Sequence, residues 1–269
     1  MKCFFVAGKK PFERENLRFV ESYADYGNAH CKAALGKMYE EGYGVDQDFD
    51  KARALFVEAA ALEPGLNILL GKMAELGEGE PVDYVKARNL YQRSGKLAAL
   101  QLGRFMVQGK GGPQDIPGAL SLYLDVARSV GDEPWTEMER LRKEGHALNE
   151  AQATHYRQIW LNGFRKELHR RLLVREVFEA VNAGGEARKA RLTFRFTQDS
   201  AQPQVTLTQG SGYANLDAQL MQAIGRFKLG TSAPLINETG KLDIVAPLVF
   251  EVRDIPAGTW GICGRKPCD

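Results

Sequence analysis

The sequence has no apolar run approaching the eighteen or so residues that a membrane-crossing helix needs, so no such helix is expected as written. It has only four histidines, His30, His146, His155 and His169, and none falls in a metal spacing such as H-E-x-x-H. There is no P-loop, no G-x-S-x-G elbow and no dinucleotide fingerprint. Charge of either sign is nearly balanced, 36 basic against 34 acidic residues for a net +2, whereas a general nucleic-acid binder is usually far more basic. His30 sits beside Cys31, but neighbouring residues on a helix point about 100° apart and do not form a dyad. No catalytic, cofactor-binding or metal-ligating residue is therefore expected, and no nucleic-acid partner.

Cysteine is scarce too. Cys3, Cys31, Cys263 and Cys268 are the disulfide candidates: an even count suits two bridges without establishing them. Cys263 and Cys268 lie in a Gly/Pro-rich tail where a bridge would close a small loop, and two unpaired thiols are the alternative. Zinc is disfavoured, because four sulfur ligands would have to bring the chain ends together and no tight C-x-x-C is present. The start, Met1-Lys2-Cys3-Phe4-Phe5-Val6-Ala7, has a basic residue but too short an apolar stretch for a signal peptide.

What is present is a soluble globular composition, 44% hydrophobic and 26% charged over 269 residues, enough for one large domain or two ordinary ones. Charge is unevenly spread. Residues 1–150 hold 20 basic and 23 acidic side chains, and residues 151–269 hold 16 and 11.

The strongest signal is an internal repeat. Leu35-Gly36, Gly42, Gly44, Lys51-Ala52 and Leu55-Phe56 recur 35 residues later as Leu70-Gly71, Gly77, Gly79, Lys86-Ala87 and Leu90-Tyr91. A further 32 residues on stand Leu102-Gly103, Gly109, Gly111, Ala119 and Leu122-Tyr123. In each unit, helical spacing predicts a first helix ended by Gly-x-Gly and a second helix capped by an Asp, Asp46 or Asp48 in the first unit. Gly36 and Ala52 are small where the two helices cross, and neither helix buries its face alone, so units must stack. Phe12 to Gly27 reads as a second helix without its partner, and Pro134 as the end of the array, with one short helix over Trp135–Glu144 after it.

Ala34-Leu35-Gly36-Lys37-Met38-Tyr39-Glu40-Glu41-Gly42-Tyr43-Gly44-Val45 and Asp50-Lys51-Ala52-Arg53-Ala54-Leu55-Phe56 resemble the Sel-one-like repeat, a relative of the tetratricopeptide repeat. The resemblance implies an α-solenoid that binds a protein on its concave face, not an enzyme.

After the array, Asn149 is placed to cap a long helix reaching about Asn182. Tyr156, Trp160, Phe164, Leu168 and Leu172 follow at steps of four among Arg157, Arg165, Lys166, Arg170, Arg171 and Arg175. A basic amphipathic helix over 156–175 can lie on a membrane surface, but packing of the aromatic stripe on a neighbouring domain is the favoured reading. Ala183-Gly184-Gly185 then marks a boundary.

From Arg188 the period changes to two. Leu192, Phe194 and Phe196 alternate with polar residues, as do Val205 and Leu207, predicting a hairpin. Leu216, Leu220, Ala223, Ile224 and Phe227 return to helical spacing, and a last strand is predicted near Ile244–Val252. Gln209-Gly210-Ser211-Gly212, Leu216-Asp217, Ala223-Ile224, Pro234 and Pro247-Leu248-Val249-Phe250 resemble the TonB C-terminal domain family. That resemblance implies β-augmentation, a peptide strand added at an edge near Val245, Val249 and Glu251.

The expectation is thus a multidomain chain: a repeat solenoid over 1–133, a helical linker over 134–187, a small β-β-α-β domain over 188–253 and a cysteine-containing tail over 254–269. Its expected role is that of a non-enzymatic interaction or adaptor protein of the bacterial cell envelope, with the C-terminal domain binding a peptide strand or forming a homodimer. It would be periplasmic, with a signal peptide removed from this sequence. The alternative is a cytosolic scaffold or regulator in which the C-terminal domain is only structural.

Overall fold

The computed structural model describes residues 2–8, 13–127, 129–172, 175–183, 185–197, 200, 202–225, 234–236 and 240–250. Glu251, Cys263, Cys268 and the tail expected over 254–269 lie outside them. The chain forms two compact units, Met1–Ala153 and Thr154–Asp269.

The first unit holds α1 (Lys2–Ala7), α2 (Arg14–Asp25), α3 (Ala29–Glu41), α4 (Phe49–Leu62), α5 (Asn67–Leu76), α6 (Tyr84–Arg93), α7 (Ala99–Gln108), α8 (Ile116–Val126) and α9 (Glu133–Lys143). The pairs α3–α4, α5–α6 and α7–α8 are the three repeats, and one short-range geometry recurs in each. The first helix ends in left-handed Gly42, Gly77 or Gly109. The carboxylates of Asp48, Asp83 and Asp115 then accept from the backbone N–H of Lys51, Lys86 and Gly118 at 2.8–2.9 Å, capping the second helix. Asp48, not Asp46, is the cap in the first repeat.

Within a repeat the two helices meet glycine against ring. A Cβ on Gly36, Gly71 or Gly103 would stand 2.5, 2.6 or 2.3 Å from the rings of Phe56, Tyr91 or Tyr123. All three rings are fully buried, as are Ala52, Ala87 and Ala119 beside them. Between repeats, the second glycine of each turn provides the close approach. A Cβ on Gly111 would lie 2.0 Å from the Tyr84 carbonyl oxygen, and one on Gly79 would lie 2.7 Å from the Phe49 Cβ. Arg53 donates from Nη2 to the Glu78 carbonyl at 3.1 Å, and Arg88, one repeat on, donates from Nη1 to the Pro113 carbonyl at 3.0 Å. Gly-x-Gly thus does more than turn the chain; its second glycine lets the next repeat sit down on the last.

The array differs from its sequence reading at its first helices. The helix expected over Phe12–Gly27 is not alone: α1 packs on α2 and α3, buries Cys3 and Ala7, and is bonded to α3 by a Cys3–Cys31 disulfide. After the third repeat the expected short helix is α9, and Pro134 sits in its first turn, where a missing N–H costs nothing. Trp135, Met138 and Leu141 are buried where α9 packs against α8. The compact units divide at Ala153, within the stretch expected as a helical linker.

Within the predicted long helix the described residues form α10 (Glu150–Leu172) and α11 (Arg175–Ala183). Asn149 and Gln152 form a reciprocal capping box, each side chain accepting from the other's backbone N–H at 2.9 Å. The second unit adds β1 (Arg188–Thr197), β2 (Gln204–Gln209), α12 (Ala214–Gly225) and β3 (Lys241–Phe250). The strands form one antiparallel sheet in the order β2-β1-β3. Ala190, Leu192, Phe194 and Phe196 point inward from β1. The α10 stripe of Tyr156, Trp160, Phe164, Leu168 and Leu172 is buried as well. Trp160 meets Phe196, and Phe164 meets Phe194, edge to face at 5.4 and 4.9 Å. The aromatic face considered for a membrane surface therefore packs on protein, while Arg157, Arg165, Lys166 and Arg170 point to solvent. Among the described residues no helix is long and apolar enough to cross a membrane.

Two measurements check this account. Gly103→Ala should lower the unfolding free energy by about 2 kcal/mol or more, because the Tyr123 ring must move out of a packed site. Gly95→Ala, with nothing within 4 Å, should cost only its left-handed backbone, about 1 kcal/mol. Reducing the Cys3–Cys31 bridge, which closes a 28-residue separation, should cost about 3 kcal/mol in the first unit, read as a lower denaturation midpoint in dithiothreitol.

Candidate interaction surfaces

The repeated positions are consumed by packing, so what remains for a partner is the surface between them and the edge of the sheet. The edge can be built from hydrogen-bond bookkeeping. Arg191 pairs with Pro247 across β1 and β3, and with Gln209 across β1 and β2. A bulge at this point leaves Thr208 extra on β2, and the Thr208 hydroxyl donates to the Arg191 carbonyl at 3.1 Å. The backbone groups of Arg191 therefore face β2. Backbone direction alternates along a strand, so Pro247 stands where the β1–β3 ladder asks for no N–H, the position at which a strand tolerates proline.

The same alternation turns the backbone of Asp243, Val245 and Val249 outward. No described strand pairs with that side of β3. Val245 and Val249, two of the three edge residues named by the TonB resemblance, are 54% and 63% exposed on the outer face. Glu251, the third, lies outside the described residues. The outer face also carries Arg195 and Asp243, directly opposite one another and joined by two hydrogen bonds of 2.8 and 2.7 Å. The guanidinium holds the Asp243 carboxyl below its usual range. Both side chains are largely solvated, so the pair orients the edge more than it stabilises the sheet.

In the array, His30 and Cys31 do not meet as a nucleophile and base. Cys31 is oxidised to Cys3, and His30 Nδ1 lies 3.1 Å from Glu63 Oε2. The most perturbed acid sits at the junction of the first two repeats. In the second repeat the Tyr91 hydroxyl donates to Glu75 Oε2 at 2.5 Å. Burial, then Glu75, hold that phenol far above its usual range. The first repeat has Phe56 and Glu40 at those positions, and Phe56 has no hydroxyl to give. Buried Glu40 is satisfied instead by Lys37 on its own helix. Glu78, from the next repeat's turn, faces it. Burial and the neighbouring Glu40 carboxylate push the Glu78 acid up to about 7, against weaker attraction from Lys37 and Lys72. The sequence carried this site only as an unremarked Glu in a Gly-x-Gly turn. The signal that could have found it is the change from tyrosine to phenylalanine between repeats.

Comparison with known proteins identifies the array. Residues 29–63, 67–98 and 96–124 match the Sel1 repeat family, so the three helix pairs α3–α4, α5–α6 and α7–α8 are Sel1 repeats. The overlap at 96–98 falls where the third unit is about three residues short. A Sel1 repeat protein from Oxalobacter formigenes is 26% identical over 46% of this chain and 98% of its own, with a TM-score of 0.42. The protein c5321, a protective antigen present in uropathogenic Escherichia coli strains and displaying an SLR fold, is 22% identical over 58% of this chain and 35% of its own, with a TM-score of 0.47. No curated protein matches the sequence.

The raised acid gives a stability signature of definite sign. A carboxyl whose folded pKa lies above its unfolded value binds more protons when folded, so its stabilising effect is complete below pH 4.5 and is lost as pH rises through about 7. Glu78→Gln should remove that fall, leaving the variant more stable than the parent at pH 8 by an amount on the order of 1 kcal/mol. Chemical denaturation at pH 5 and pH 8 reads the difference.

Proposed function

We propose that this chain is a non-enzymatic adaptor of the bacterial cell envelope. Its Sel1-repeat array docks a protein partner, and its C-terminal sheet accepts a peptide strand along β3, as a TonB C-terminal-like domain would. The observation that carries the reading is the three-repeat array itself, since Sel1 repeats generally mediate protein–protein interaction. Its glycine, alanine and aromatic positions serve stacking, which leaves the exposed positions for recognition.

Two further observations support the finer parts. The open side of β3, with outward backbone at Asp243, Val245 and Val249, has the hydrogen-bonding groups that strand addition requires. A second copy is the weaker occupant. Antiparallel pairing of β3 with itself about Val245 would set Asp243 against Pro247, losing a donor on each side. The Cys3–Cys31 disulfide favours an oxidising compartment such as the periplasm over the cytosol.

The test uses the direction of the backbone. Val245→Pro removes an outward N–H and leaves the β1–β3 ladder intact, as Pro247 already does. A photo-crosslinker placed at Val249 in cells should capture a partner segment in the parent and lose it in Val245→Pro. Protein isolated under alkylating conditions should show Cys3 and Cys31 joined. Free thiols at both positions, with crosslinking indifferent to Val245→Pro, would move the reading to a cytosolic scaffold whose sheet is only structural.

A further inference from the structure

Between α4 and α6, floored by α5, runs a groove of about 370 Å³. Its apolar part is formed by Val57, Leu70 and Leu90, and its rim by Arg53, Lys86 and Arg93. Glu80 supplies the single acidic lining residue, so the groove is cationic within a stretch whose first 150 residues carry more acidic than basic side chains.

The repeat supplies an internal control. The corresponding groove one repeat on keeps the shared parts: Leu70 becomes Leu102, Leu90 becomes Leu122, and Arg53 becomes Arg88. It does not keep the rim. Arg93 becomes Asp125, Lys86 becomes Gly118, and half-exposed Val57 becomes Gln92. Stacking therefore accounts for the leucines and for Arg53, whose guanidinium reaches the Glu78 carbonyl. It does not account for an exposed valine and the added Arg93. Lys86 is held by Glu80 at 2.6 and 2.8 Å, whereas Arg93 has no hydrogen-bond or ion-pair partner among the described residues. A guanidinium left open beside exposed aliphatic surface is complementary to a carboxylate on a partner.

We propose that this groove docks a short segment of a partner protein in which aliphatic side chains are flanked by Asp or Glu. The aliphatic groups lie on Val57, Leu70 and Leu90, and a carboxylate bonds Arg93. This rests on the reading of the array as a protein-binding module and names the chemistry of what it binds.

The test selects random twelve-residue peptides on the full chain carrying Val245→Pro, which closes the sheet edge to them. The selected peptides should be rich in Asp, Glu, Leu, Ile and Val. In fluorescence anisotropy Arg93→Glu and Val57→Glu should each weaken them about tenfold or more, and added salt should weaken them further. Both positions are exposed, so circular dichroism should show the variants folded. Exchanging the peptide's acids for lysine should restore binding to Arg93→Glu. Acidic peptides whose affinity ignores both variants, or binders with no acidic bias, would overturn the groove assignment while leaving the array an interaction module. If no peptide binds the array while β3 still takes its strand in the parent, the reading of the array falls as well.

Discussion

Each repeat rests on a glycine pressed against an aromatic ring. Gly36, Gly71 and Gly103 leave no room for a methyl group beside Phe56, Tyr91 and Tyr123, and this fixes how closely the two helices of a repeat cross. The spacing between repeats is set by a second contact of the same kind, Gly79 on the start of α4 and Gly111 on the start of α6. Arg53 and Arg88 then tie each repeat to the following turn. Packed interiors tolerate little change of volume, so these few positions carry the geometry while the remainder of each helix is free to vary. The cationic groove and the Glu40–Glu78 acid pair are both products of that freedom, arising where one repeat departs from the next.

The array was legible because its determinants are local and repeat. Gly-x-Gly, the capping Asp and the small-residue crossing lie within one unit and recur at offsets of 35 and 32 residues. What the sequence concealed depends on partners far along the chain. The second glycine of each turn reads as turn chemistry until the preceding repeat is seen against it. The short helix after Pro134 is readable from the chain, but what holds it, the burial of Trp135, Met138 and Leu141 against α8, is not.

The sheet was legible in a different way. Period-two alternation marked β1 and β2 clearly, and the inward set of Leu192, Phe194 and Phe196 is buried as the pattern implies. The open edge was reached at sequence level only through a family resemblance. In the structure it follows from bookkeeping: Thr208 bonded to Arg191 fixes the direction of one carbonyl, and alternation assigns Pro247, Val245 and Val249 their sides. Pro247 is thereby the marker of which side of β3 turns away from β1.

The Cys3–Cys31 bridge also bears on the order in which the chain takes shape during synthesis. Its partners are 28 residues apart, and the ties between repeats span a similar 25, so the array can assemble in sequence behind the ribosome or translocon. The Arg195–Asp243 pairing spans 48 and closes β3 onto β1 only after α12 has been made. Helix α1 is thus locked to the first repeat long before the sheet exists. In an oxidising compartment, the nascent chain acquires a covalent clasp on its first repeat before the later repeats are laid upon it.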